Sequence, residues 1–169
     1  MNRIVVIGPC GAGKSTLARD LSQRLGLPLH HMDQLNWRPG WVESSKAEIG
    51  ERLTTILATD RWMIDGNYSG TLAQRLARCD TIIYLDYPVS LCLFRVLKRI
   101  WAYRGRSRPD MTQGCPERLD LAFLLYLAQW NAGPRVRTEE LISNHGDKVI
   151  RLRNPQALNR WYGDLRAAA

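Results

Sequence analysis

Gly8-Pro9-Cys10-Gly11-Ala12-Gly13-Lys14-Ser15-Thr16 is the stretch whose residue types and spacing say most about chemistry. Residues 8–15 satisfy G-x-x-x-x-G-K-[ST], with a β-branched run before them and helical spacing after them, which is the context that gives the motif meaning. Glycines let the backbone wrap so that successive N–H groups point into one hollow. The start of a helix adds a potential that favours anions there. Lys14 is then placed to reach the β- and γ-phosphates of a nucleoside triphosphate, and Ser15 to ligate Mg²⁺.

A magnesium site needs a further acid at the end of a neighbouring strand. Asp33, Asp65 and Asp86 each close an apolar run, and parallel strands deliver their C-terminal ends to the edge where ligands of such sheets bind. Asp86, just before Tyr87-Pro88, reads first as a helix cap or turn residue; Asp33 and Asp65 divide evenly between that reading and the site. The excess positive charge concentrates at Arg95, Lys98, Arg99, Arg104, Arg106 and Arg108, with no acid among them. The glycine and proline of "RGRSRPD" predict a mobile segment over about 104–116, able to close over phosphates, exclude water and neutralise developing charge.

These groups need elements to hold them. "RIVVIG" reads as a buried strand, and Leu17, Leu21 and Leu25 define a helix face ended by Gly26. "LPLHHMD" reads as a second strand, followed by a Trp-rich loop, "QLNWRPGW". Ser45 and Glu48 have capping-box spacing for a helix to about Thr59. "RWMID" and "TIIYLD" are further strands, with a helix from about Thr71 to Arg78 between them and an amphipathic helix to about Tyr103 after them. "PERLDLAFLLYLAQWN" is apolar almost all round and predicts a buried helix. "DKVIRL" is a fifth strand, and Asn154-Pro155 starts the last helix. Alternating strands and helices predict one α/β domain with a parallel sheet, spanning 1–169.

Composition narrows the class. A chain of 169 residues with net charge +8 can bury a substantial core, and its charge suits either nucleic acid or a phosphate-rich site. Cys10, Cys79, Cys92 and Cys115 lack the spacing of a zinc site or a disulfide framework, and no apolar run approaches the roughly 20 residues of a membrane span. A soluble, cytoplasmic protein without a signal peptide is the expectation, as monomer or homodimer.

Together "GPCGAGKST", "HHMDQLNWRPGW", "WMIDGNYSGTL", "TIIYLDYP", "RVLKRI", "RGRSRPDMTQGCPERLDL" and "VIRLRNPQAL" resemble the topology modulation proteins, small P-loop proteins similar to adenylate kinase and shikimate kinase. The resemblance implies a P-loop NTPase fold: a five-stranded parallel sheet of order 2-3-1-4-5, helices on both faces and a short arginine-rich lid. It implies that Asp65 organises Mg²⁺, that Asp33 lies beside an acceptor hydroxyl, that Arg104, Arg106 and Arg108 are lid arginines, and that Arg99 approaches the ATP phosphates. The turn Arg153-Asn154-Pro155 would hold adenine. One departure stands out: where adenylate kinases read D-G-F-P-R, this chain reads Asp65-Gly66-Asn67-Tyr68-Ser69, so the arginine that grips an acceptor phosphate is missing. Arg38 or Arg75 is a candidate substitute, and Trp37 and Trp41 are candidates to stack on a planar acceptor.

Two functions follow. The first is an ATP- and Mg²⁺-dependent kinase of a nucleotide or other small molecule, with Lys14, Asp33, Asp65 and the arginines as its machinery. The second is a nucleic-acid-binding NTPase affecting DNA topology, in which Trp101 and Tyr103 stack on bases between basic residues. A signalling GTPase lacks its N-K-x-D guanine motif.

Overall fold

The computed structural model describes residues 1–167; the last two residues of the expected single domain lie outside the described residues. Five short apolar runs form one parallel sheet: β1 (Arg3–Ile7), β2 (Leu29–His31), β5 (Trp62–Asp65), β6 (Thr81–Leu85) and β7 (Val149–Leu152), in the order β2-β5-β1-β6-β7. The remaining strands, β3 (Trp37–Arg38) and β4 (Val42–Glu43), form a separate antiparallel hairpin. Leaving the hairpin aside, the order is the expected 2-3-1-4-5.

Ile4 to Ile7 have no exposed surface, as expected of a central strand covered on both faces. Alternation splits these residues between two cores. Ile4 and Val6, with Met63 and Ile83, pack toward α1 (Lys14–Leu25), α5 (Val89–Ala102) and α8 (Pro155–Ala167). Val5 and Ile7, with Ile64 and Ile82, pack toward α3 (Lys46–Leu57), α4 (Ser69–Arg78) and α7 (Pro134–Ile142). The register pairs Val6 with both Asp65 and Ile83, and His31 with Asp65. Three strand ends therefore meet where the glycine-rich loop leaves β1.

Three expectations change. The second strand stops at His31, because β5 offers no partner beyond Asp65; the chain turns into the one-and-a-half-turn helix α2 (Met32–Asn36), which buries Met32. Asp33 thus sits in a helix's first turn rather than at a strand end, and the Trp-rich loop becomes the β3–β4 hairpin, turned by Gly40 and Trp41 at φ 81° and 63°. The long apolar segment after Pro116 is helical only over α6 (Leu121–Ala128), capped by Asp120. That helix is not buried all round: Leu121 and Leu125 are 74% and 59% exposed, Phe123 and Leu124 pack part-buried against the core, and Leu127, with Trp130 just beyond the helix, enters it. The sequence reading also lacks α7, which opens on Pro134 and packs against α4.

Candidate active site

The glycine-rich loop can be built from nothing but glycine at its tight points. Gly8 and Gly11 have φ +143° and +85°, and a Cβ on either would lie 2.4 Å from a backbone oxygen, that of Leu85 or of Cys92. Gly13, at φ +96°, delivers the chain into α1. Lys14 curls back so that its Nζ donates to the carbonyls of Gly8 (2.9 Å) and Pro9 (3.1 Å). Residues 10–16 line a cavity of about 1270 Å³, which Gly8 and Pro9 do not line. That volume exceeds the upper range for a single drug-sized ligand.

Asp65 is nearly fully buried at the end of β5. Ser15 Oγ donates to its Oδ2 at 2.6 Å, and His31 Nδ1 contacts its Oδ1. Burial works against a charge on His31, but the hydrogen bond and the negative charge of Asp65 outweigh it and raise the imidazole's pKa. Ser15 and Asp65 offer hard oxygen donors beside Lys14, the donor type Mg²⁺ takes while keeping water and phosphate oxygens as its other ligands. Among the described residues no cluster of three or more His, Cys, Asp or Glu gathers to cage a metal alone. A metal here would be shared with phosphates.

The departure Asn67-Tyr68-Ser69 has a structural answer. Asn67 clamps the phosphate loop, accepting from the Gly8 N–H (3.0 Å) and donating to the Gly8 carbonyl (2.7 Å). Tyr68, held at φ 38°, donates its hydroxyl to Asp33 Oδ1 at 2.9 Å. Arg75 makes this geometry possible from beneath. It has no exposed surface, and its guanidinium donates to the carbonyls of Gly66 (2.7 Å), Asn67 and Tyr68 (3.1 Å). The expected role of Arg75 in gripping an acceptor is corrected on this ground: its donors are spent on the backbone. Arg38 is corrected too, since it is exposed, pairs with Glu48 and does not line the cavity.

Asp33 lines the cavity across from the loop. Burial pushes its carboxyl above the usual range, and the charge of Arg108 and the Tyr68 hydrogen bond only partly restore it. Arg108 is buried among acids, at 2.7 Å from Asp110, 2.6 Å from Glu117 and 3.7 Å from Asp33. Arg99 meets Glu117 at 2.8 Å and also lines the cavity. Arg104 and Arg106 do not: both are exposed on the outer side of the lid. Arg95 takes the place nearer the loop, donating to the Ala12 carbonyl at 3.3 Å and lying over the Tyr87 ring.

The segment expected to form a lid is fastened to the hairpin. Gly40 N–H donates to Gly114 O (2.9 Å), Thr112 Oγ1 to Trp37 O (2.6 Å), Cys115 Sγ to Arg38 O (3.1 Å) and Trp41 Nε1 to Pro116 O (3.1 Å). Trp37 and Trp41 both line the cavity, but they pack edge to face at 5.4 Å, and Arg118 covers the Trp41 ring. No slot is left between them for a planar ligand. In the turn after β7, Arg153 is exposed and Asn154 accepts from Ala157 N–H as a helix cap; of the expected trio only Pro155 lines the cavity. His31 is a cavity residue to which the sequence pattern assigns no role; Arg95 stands there only as one of a basic cluster, and Asn67 and Tyr68 only as a departure from the adenylate kinase pattern.

No family model matches the chain. Among characterised proteins, the shikimate kinase of Acinetobacter baylyi is 30% identical over 129 residues, 68% of this chain and 68% of that protein. The chain belongs to the shikimate kinase family of small P-loop kinases. Adenylate kinase of Thermosipho melanesiensis is 31% identical over 107 residues, 62% of this chain and 49% of that enzyme, so the chain spans about half its length. Among solved structures, shikimate kinase from Acinetobacter baumannii, in complex with shikimate, superposes with a TM-score of 0.60 at 19% identity, covering 99% of this chain and 93% of that one. Shikimate kinase from Bacteroides thetaiotaomicron gives 0.50 at 17% identity, with 82% of each chain covered. As a member of the family the chain is an ATP-dependent phosphotransferase acting on a small molecule or nucleotide. Among the described residues no helix is long and apolar enough to cross a membrane.

Proposed function

We propose that this kinase transfers the γ-phosphoryl group of ATP to a hydroxyl group of a small molecule held beside Asp33. The observation that carries the reading is the Asp33–Tyr68 pair, a carboxylate fixed by a phenol at 2.9 Å on the wall of the cavity that also holds Lys14. A carboxylate there suits an alcohol, whose proton it can take, and repels an acceptor that is already a phosphate. Arg38 and Arg75 are engaged elsewhere, and Arg108, 3.7 Å from Asp33, is already paired with Asp110 and Glu117.

In this reading the loop N–H groups and Lys14 cradle the phosphates, and Arg95 and Arg99 lie where charge develops during transfer. Mg²⁺, with Ser15 and Asp65 as its protein oxygens, would supply charge neutralisation on the β- and γ-phosphates. Asp33 orients the acceptor hydroxyl and receives its proton, and the lid and hairpin exclude water. The test follows ADP release while nucleosides, nucleoside monophosphates and hydroxy acids are added singly, with products identified by mass. One alcohol that stimulates ADP release and gains a phosphoryl group is the expected result; a monophosphate acceptor converted to a diphosphate would overturn it.

A second reading rests on the outer lid. Trp101 is 82% exposed, and Lys98, Arg104 and Arg106 are exposed with it, outside the cavity, while Tyr103, also exposed, lines it. Stacking rings among cations suit single-stranded nucleic acid, whose binding would weaken steeply with salt. Absence of retention on DNA or RNA at low salt would remove this reading.

A further inference from the structure

The side chain of Asp65, though buried, must keep one oxygen turned toward Ser15 and the phosphate side. Its side chain is 4% exposed, so water cannot hold it in orientation. The Ser15 hydroxyl, at 2.6 Å from Oδ2, is a rotor and fixes nothing by itself. Arg75, buried under the same turn, spends its donors on the carbonyls of Gly66, Asn67 and Tyr68. What remains is His31, at the end of β2 and paired in register with Asp65, whose Nδ1 contacts the second oxygen, Oδ1. His31 is itself buried, and it lines the cavity beside Asp65.

We infer that His31 is a positioning residue for magnesium: by donating from Nδ1 to Asp65 Oδ1, it holds Oδ2 on Ser15 and so sets how tightly the Mg²⁺–nucleotide complex binds. The inference rests on the kinase reading above, with Ser15 and Asp65 as the protein oxygens of the metal. The ring is suited to the task because it is anchored in the sheet: β2 cannot shift its register against β5 without moving every side chain to the other face. Groups that orient a metal's ligands typically change metal affinity about 10- to 100-fold when removed.

The test titrates MgCl₂ against the whole protein saturated with a non-hydrolysable ATP analogue, with heat of binding as the readout, and repeats the nucleotide titration in EDTA. His31→Leu removes the donor, and His31→Asn returns an N–H close to the position of Nδ1. The Mg²⁺ concentration for half-saturation should rise about ten-fold in His31→Leu, while nucleotide binding in EDTA stays within about two-fold of wild type. His31→Asn should recover most of the loss. Equal Mg²⁺ dependence of His31→Leu and wild type overturns the inference, as does an equal loss with and without Mg²⁺, or failure of His31→Asn to rescue. If the wild-type protein binds the analogue with no response to Mg²⁺ at all, it is the metal reading of Ser15 and Asp65 that fails, and the inference falls with it.

Discussion

Replacing Arg75 by methionine separates two accounts of one residue. An acceptor-gripping arginine, when lost, raises the acceptor's KM and leaves stability alone. A buried arginine that holds a turn together costs stability first. The guanidinium has no exposed surface, and burial lowers its pKa to about 10. Arg75→Met keeps most of the volume but strips donors from the carbonyls of Gly66, Asn67 and Tyr68. Each buried carbonyl left unpaired costs about 1–3 kcal/mol, and removing a desolvated cation returns part of the sum. A net loss of about 3 kcal/mol follows, against a typical total of about 5–15 kcal/mol. For a domain of this size that lowers the midpoint of thermal unfolding by about 6–12 °C. Urea unfolding followed by tryptophan fluorescence reads the loss directly. A variant less than about 1 kcal/mol destabilised, with a raised acceptor KM, would refute the structural account and return Arg75 to the acceptor.

Other expectations are shorter. Gly11→Ala should abolish nucleotide binding in a protein that still folds, because a Cβ would meet the Cys92 oxygen at 2.4 Å; isothermal titration with ATP checks it. Asp33→Asn should lower kcat by about 10²- to 10⁴-fold, the usual span of a lost general base, with KM for ATP little changed in steady-state assays. Arg106→Ala, outside the cavity, should keep kcat within about two-fold of wild type, whereas Arg95→Ala, on α5 and bonded to the loop, should lose at least about ten-fold; a reversed order would return the expected lid role to Arg106. Asp86 is held below the usual carboxylate range: burial opposes its charge, but hydrogen bonds and charge from Arg135 and Arg151 prevail. A depressed folded pKa gives stability that is present above about pH 4 and lost as pH falls through the folded value. Asp86→Asn should therefore unfold more easily than wild type at pH 7, and the gap should close toward pH 2 in denaturant titrations.

The phosphate loop and the sheet were legible because both are written locally: a glycine-lysine pattern on one side, unbroken β-branched runs on the other. Position in space was not. Arg106 and Arg108 stand two apart in one loop, yet one is exposed and the other buried, and Asp110 and Glu117 decide which. Arg75 reads as an ordinary helix arginine until the turn it supports is seen. His31 sits inside a strand whose partner, β5, lies 34 residues farther on, in the register that pairs Leu29 to His31 with Met63 to Asp65. The helix α7 is not legible in the sequence because "PRVRTEELI" carries little apolar periodicity: it buries Thr138 and Ile142 and packs Leu141 part-buried against the core.

The bonds between Gly40 and Gly114, Trp37 and Thr112, Arg38 and Cys115, and Trp41 and Pro116 join parts that would otherwise cover the two substrates independently. Joined, they make one gate. An enzyme with two gates can exchange one ligand while retaining the other; in the proposed kinase, with its two covers bonded together, an opening that frees the nucleotide would uncover the acceptor as well. The rate of that single opening would then set a ceiling on kcat shared by every acceptor.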